Sequence, residues 1–364
     1  MSYFRSNIER LAGYAPGEQL ADGGVVKLNT NENPYPASPR VAEAIEKVLH
    51  AEPGSLTGLE RYPNAMGQSF REQVVEALGL SRYGITPDWI LCGNGSDDLL
   101  TICMRAFVDE GGLIRLPTPS YILYKTLAEL QNANSEQVAF NQDWSLGNDF
   151  TAVQYDKPPQ LVFLPNPNSP SGTLLTRERI LELAAALPCP LLVDEAYADF
   201  ASWNCIDLPA ENKKILVTRT LSKSYALAGL RFGFLVAHPE MIEQLQKVKD
   251  SYNCDTLSIV GATAAIADQD WLTENKRRVL ATRERLIQGM QDLGFEVVPS
   301  EANFTWNTHP TLELAPIYEG LRQQNMLVRF MRYEGWGEGL RISVGRDDEI
   351  DRLLVAIEEL IKKG

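Results

Sequence analysis

Between residues 89 and 249, short apolar runs alternate with amphipathic stretches. The runs at 89–92, 112–116, 160–164, 190–193, 215–218 and 231–237 have the length and flanking turn residues of strands. Between them, 97–107, 120–131 and 176–187 repeat apolar residues at helical spacing, and Thr176 stands where an N-cap belongs. Strands alternating with helices predict an α/β domain built on a mostly parallel sheet. The pattern changes after Asp255. A long helical stretch covers 259–293, with Gly261 and Gly289 as weak points. Short apolar runs at 295–299, 303–306, 326–330 and 340–344 follow, with helices over 312–324 and 347–362. This predicts a large α/β domain over 46–255. A smaller α+β domain is expected from 256–364 together with an N-terminal helix and arm over 1–45.

Composition narrows the class of function more than the fold. The 364 residues exceed one ordinary core, in keeping with two domains. A formal charge of −14 disfavours a nucleic-acid surface, and so a DNA-binding regulator. No apolar run reaches the roughly 18–20 residues that span a bilayer, and the N-terminus lacks the apolar core of a secretory signal. The five cysteines are odd in number and form no CxxC pair, which predicts reduced thiols in a cytoplasm. The three histidines, His50, His238 and His309, share no metal-ligand spacing, so no metal is expected. Proton transfer is left to Lys, Asp and Tyr.

Ligands of open α/β sheets bind beyond the carboxyl ends of the strands, and several notable groups stand there. Gly93-Asn94-Gly95-Ser96-Asp97-Asp98 follows the first run and opens a helix, which suits a phosphate but equally a capped turn. Asp194 ends the apolar run Leu191-Leu192-Val193, as a cap, a ligand or the partner of a heterocyclic cation. Lys223 lies between Ser222 and Ser224, eight residues before Arg231. Hydroxyls and a guanidinium form a phosphate clamp, and a lysine beside cationic groups can serve as an amine nucleophile. Asn166-Pro167-Asn168-Ser169-Pro170-Ser171-Gly172 is a turn after another strand. Arg341 lies within a strand of the smaller domain, where it needs an anionic partner.

Taken in order, these segments resemble fold type I aminotransferases that use pyridoxal 5′-phosphate, and more narrowly the histidinol-phosphate aminotransferases. Leu28-Asn29-Thr30-Asn31-Glu32-Asn33-Pro34, Arg61-Tyr62-Pro63, Val328-Arg329 and Arg341-Ile342-Ser343-Val344-Gly345 extend the likeness along nearly the whole chain. The resemblance implies that Lys223 carries the cofactor as a Schiff base and moves the substrate proton. It gives Asp194 the pyridine nitrogen, Tyr197 the phenolic oxygen and Tyr121 the ring face. Gly95, Ser96, Asp97, Ser222 and Arg231 would hold the cofactor phosphate, helped by Tyr62 from the neighbouring subunit of a homodimer. Arg341 would grip the carboxylate of glutamate, or the phosphate of histidinol phosphate in the other half-reaction. Tyr14 and Arg329 match residues around that phosphate, and Asn33 the substrate side. The implied reaction converts L-histidinol phosphate and 2-oxoglutarate to imidazole acetol phosphate and L-glutamate by a ping-pong mechanism, in histidine biosynthesis. Aromatic aminotransferases and threonine-phosphate decarboxylases share most of these residues.

Two departures bear on the site. Many fold type I enzymes place Asn directly before the Pro-Thr-Gly turn, where this chain has Ser169; the cofactor oxygen then falls to Asn168, to a water or to Tyr197 alone, with Asn168 the favoured candidate. The stretch 53–58 is longer than usual and affects the placement of Tyr62.

Overall fold

The computed structural model describes residues 3–11, 18, 24–52, 54–55, 58–152 and 157–363. Its large sheet has seven strands: β1 (Ile90–Gly93), β2 (Leu113–Thr118), β3 (Asn134–Ala139), β4 (Leu161–Pro165), β5 (Leu191–Asp194), β6 (Ile215–Thr220) and β7 (Gly233–Val236). In space they run β1-β7-β6-β5-β4-β2-β3. The pairings from β6 to β3 are all parallel, and β7 is antiparallel to both neighbours. Every residue of β4, β5 and β6 is buried, because helices cover both faces of the sheet.

Six of these strands correspond to the expected apolar runs. The seventh, β3, has the sequence Asn-Ser-Glu-Gln-Val-Ala and none of its residues is fully buried. As an edge strand it is held by its backbone ladder to β2, so it has no apolar signature. The run at 231–237 begins as a strand only at Gly233. Arg231 itself has φ +54, in the left-handed region, which turns it out of the sheet.

The expected helix over 259–293 is two helices, Thr256–Ala267 and Gln269–Asp292, and neither glycine is the break. The chain turns at Asp268, whose carboxylate accepts a hydrogen bond from Ser38 Oγ at 2.5 Å. Gly261 instead permits close packing, since a Cβ there would lie 2.7 Å from Leu230 Cδ2. Helix Thr256–Ala267 packs with helix Pro39–Leu49 in a core containing Val41, Phe70, Phe232 and Ala262, against the large sheet.

A second sheet has four antiparallel strands, β8 (Glu296–Val298), β9 (Phe304–Thr308), β10 (Arg329–Tyr333) and β11 (Gly337–Ser343), in the order β10-β11-β9-β8. The apolar run at 326–330 serves two sheets. Met326–Leu327 pairs in parallel with Val26–Lys27 from the N-terminal arm, and β10 starts at Arg329. Helices Gln269–Asp292, Leu314–Gln323 and Asp347–Lys363 close this unit over Leu286, Leu321, Leu340, Ile342 and Leu353. Val26, Leu28 and Tyr35 of the arm belong to the same core.

Candidate active site

A cavity of about 520 Å³ lies at the carboxyl ends of β2, β4, β5 and β6, with β10 and β11 forming its opposite wall. Its lining holds Lys125, Lys223, Arg231, Arg329, Arg332 and Arg341 against the two carboxylates of Asp97 and Asp194. A strongly cationic cavity in a chain of net charge −14 is built for anions.

Asp194 is the last residue of β5 and is buried. Tyr124 Oη donates to its Oδ2 at 2.7 Å, while the Ala196 amide and Thr218 Oγ1 donate to Oδ1 at 3.2 and 3.4 Å. Burial pushes its carboxyl up to about 6, against the opposing pull of the Tyr124 hydrogen bond. A buried carboxylate met here by uncharged donors suits a cationic ring nitrogen.

Lys223 stands three residues beyond β6. Its Nζ donates to the carbonyl of Thr30 at 2.9 Å. Burial lowers its amine to about 8, with Arg341 and Arg231 acting in the same direction and Glu32 and Asp97 opposing. An ammonium near neutrality loses its proton readily, which fits it to accept and return a proton. Tyr197 accepts from Asn31 Nδ2 at 3.0 Å and packs edge-on to Phe304. Burial raises its hydroxyl above the usual range and keeps it a donor.

The anion cradle begins at Gly95, which has φ +82 and caps helix Ser96–Phe107 without a side-chain bond. The first amides of that helix are therefore open to an anion. Arg231 lies beside them, Nη1 3.4 Å from Ser222 Oγ and Nη2 3.6 Å from Asp97 Oδ2. The approach requires glycine at two positions. A Cβ on Gly95 would sit 2.8 Å from Arg231 Nη2, and one on Gly233 would sit 2.8 Å from the Ser96 amide nitrogen. Tyr121 Oη reaches Asp97 Oδ1 at 3.4 Å.

On the opposite wall, Arg341 donates from Nη1 to Ser169 Oγ at 2.9 Å and from Nη2 to the Asn29 carbonyl at 3.1 Å. Arg329 is its direct cross-strand partner between β10 and β11. Like charges facing each other across a ladder repel unless an anion joins them.

Some residues named from the sequence lie elsewhere. Asn33 is not in the lining; its Nδ2 donates to the carbonyls of Lys223 and Ser224, both at 3.0 Å. It therefore anchors the lysine segment from behind. Asn168 is turned away too, donating to the Pro119 carbonyl and Ser171 Oγ, so Ser169 is the residue that faces the cavity. Tyr62 is 80 % exposed and stacks on Tyr252 with ring centroids 4.5 Å apart. Tyr14 lies outside the described residues. The sequence reading missed Tyr124, Thr30 and Asn31. Tyr124 had a signal, because it stands one helical turn after Tyr121 and so shares its face.

The donor set fits pyridoxal 5′-phosphate: an amine, a buried carboxylate, a hydroxyl held as donor, and an amide and guanidinium cradle for the phosphate. Thr30 Oγ1 and Asn29 Oδ1, both on residues lining the cavity, are buried without a hydrogen-bond partner, a common mark of a ligand's place.

Residues 23–357 match the family model described as aminotransferase class I and II. The chain belongs to that family. It is 51% identical over 360 residues to a histidinol-phosphate aminotransferase of Rhodopirellula baltica, covering 99% of this chain and 96% of the relative. A histidinol-phosphate aminotransferase of Geotalea uraniireducens is 43% identical, with 98% and 99% covered. Among solved structures, the histidinol-phosphate aminotransferase of Sinorhizobium meliloti in complex with pyridoxal-5′-phosphate superposes with a TM-score of 0.88 at 24% identity, over 100% and 98% of the two chains. This aminotransferase shares that fold. All five of its cysteines are free and buried. Among the described residues, no group of three His, Cys, Asp or Glu is placed to hold a metal ion, and no helix is long and apolar enough to cross a membrane.

Proposed function

We propose that this aminotransferase moves the amino group of L-histidinol phosphate to 2-oxoglutarate, giving imidazole acetol phosphate and L-glutamate, in histidine biosynthesis. The observation that carries the reading is 51% identity along essentially the full length of a histidinol-phosphate aminotransferase. Arg329 and Arg341, cross-strand partners that both line the cavity, support it. They suit a substrate end that is a phosphate in one half-reaction and a carboxylate in the other.

When bound, pyridoxal 5′-phosphate supplies the carbonyl that takes the amine and the electron sink that acidifies the substrate Cα. The protein orients and moves protons. The Ser96 and Asp97 amides, Ser222 and Arg231 fix the phosphate. Asp194, itself held by Tyr124, would keep a proton on the ring nitrogen, and Tyr197 would donate to the phenolic oxygen. Tyr121 covers the ring face. The Lys223 amine would anchor the cofactor and, once released, would serve as the base that takes the substrate Cα proton and returns it to the cofactor carbon across the intervening nitrogen. Its lowered basicity suits both directions of that transfer. Ser169 steadies Arg341 at the substrate end. Tyr14 is assigned to the same phosphate from its sequence context alone. The enzyme works in the cytoplasm as a homodimer, with the exposed Tyr62 reaching the cofactor phosphate of the neighbouring subunit.

A half-reaction tests the reading. L-Histidinol phosphate should bleach the visible absorbance of the holoenzyme, and 2-oxoglutarate should restore it. Bleaching by phenylalanine but not by histidinol phosphate would replace the reading with an aromatic aminotransferase. Release of carbon dioxide from phosphothreonine would make the enzyme a decarboxylase.

A further inference from the structure

Asp194 is the last residue of β5, whereas Lys223 lies three residues past the end of β6. The β5–β6 ladder ends at Asp194 and Thr218, extended by one bond from the Glu195 amide to the Thr218 carbonyl at 2.9 Å. Lys223 lies beyond it. The residues that follow each of them, Glu195 and Ser224, are absent from the cavity lining and meet in one ion network behind it. Arg219 donates from Nη1 to Glu195 Oε2 at 2.9 Å and from Nη2 to Asp199. The Ser224 hydroxyl donates to the other oxygen of Asp199. The side chains of Glu195 and Arg219 are 0% and 6% exposed.

We infer that Arg219 and Asp199 are positioning residues for the transfer reaction, setting Lys223 against Asp194 through Ser224 and Glu195. The inference rests on the reading above, in which these two residues hold opposite parts of one cofactor. The planar guanidinium fork spans two carboxylates at once, one joined by the backbone to Asp194 and the other bonded to the neighbour of Lys223. Asn33 holds the Lys223 and Ser224 carbonyls from the other side, so the lysine segment is clamped between the N-terminal arm and the network. A chain that must return a proton to a defined atom gains from such a clamp, because small displacements of a reacting group are costly in rate.

The test uses holoenzyme carrying Ser224→Ala, Asp199→Asn or Arg219→Lys, with melting temperature and cofactor content confirming a folded, loaded protein. Two quantities are read: the split between kcat and KM, and the pH midpoint of the visible band of the lysine-bound cofactor. The expected result for Ser224→Ala and Asp199→Asn is a fall in kcat of about tenfold or more with KM for the amino donor within about threefold. The midpoint should rise, since a loosened lysine segment is less desolvated. Ser224→Thr, which keeps the hydroxyl, should retain more of both than Ser224→Ala. If Arg219→Lys does not fold, Ser224→Ala decides. Folded, loaded variants with wild-type kcat and midpoint would reduce the network to a structural role and overturn the inference. A wild-type protein with no visible band, or none bleached by any amino donor, would instead remove the reading on which it rests.

Discussion

The Tyr124 hydroxyl donates to Asp194 Oδ2 at 2.7 Å, from a ring that stacks on Phe163 and is fully buried. Asp194 thus has a fixed orientation before any ligand arrives. Tyr124→Phe removes one hydrogen bond to a buried carboxylate and leaves the packing intact. The dissociation constant for the cofactor should rise by about tenfold, as expected for a bond to a charged group. Equilibrium titration of the visible band measures it.

Asp194 also gives the cofactor-free chain a signature in pH. Burial holds its carboxyl at about 6 in the folded chain, above the ordinary 3.8 of an aspartate. The folded chain therefore keeps a proton that the unfolded chain has lost. This contribution to stability is complete below 3.8 and disappears as pH rises through about 6. Relative to Asp194→Asn, the wild-type apoprotein should lose on the order of 2–3 kcal/mol across that window. Lys223 has the opposite sign. Its amine is lowered from 10.5 to about 8, so its contribution is present above 10.5 and lost as pH falls through about 8. Denaturant unfolding of the apoprotein at several pH values checks both.

Ser169 holds Arg341 at 2.9 Å, and the pair lies at the substrate end of the cavity. Ser169→Ala leaves the guanidinium less well placed while the cofactor contacts remain. KM for 2-oxoglutarate should rise roughly three- to tenfold, with kcat much less affected. An equal fall of kcat and kcat/KM would instead place Ser169 in the transition state.

Gly95 permits the anion cradle by its left-handed backbone and by the absence of a Cβ near Arg231. Gly95→Ala should cost roughly 1–3 kcal/mol of strain and displace the guanidinium. Cofactor phosphate affinity is the sensitive readout. Competition by inorganic phosphate against cofactor binding to the apoprotein measures it.

Much of this architecture was legible in the sequence because buried parallel strands are nearly all apolar. β4, β5 and β6 stand out for that reason, and Asp194 and Lys223 are conspicuous where those runs stop. Edge strand β3 was invisible because its stability comes from backbone pairing rather than burial. The break at Asp268 was missed because a carboxylate bonded to a distant serine ends the helix, whereas Gly261 is there for packing. Within the site, charged groups were easier to find than neutral ones. Tyr124, Thr30 and the backbone-facing Asn33 make their contacts across up to 193 residues of chain, so local pattern marks at most that Tyr124 shares a face with Tyr121 and does not show what any of the three bonds.

The central claim is that Lys223 bears the cofactor. Holoenzyme reduced with borohydride and digested should yield one modified peptide, with the mass of reduced pyridoxal phosphate on Lys223. A label on another lysine, or none in a preparation that retains its visible band, would contradict the account.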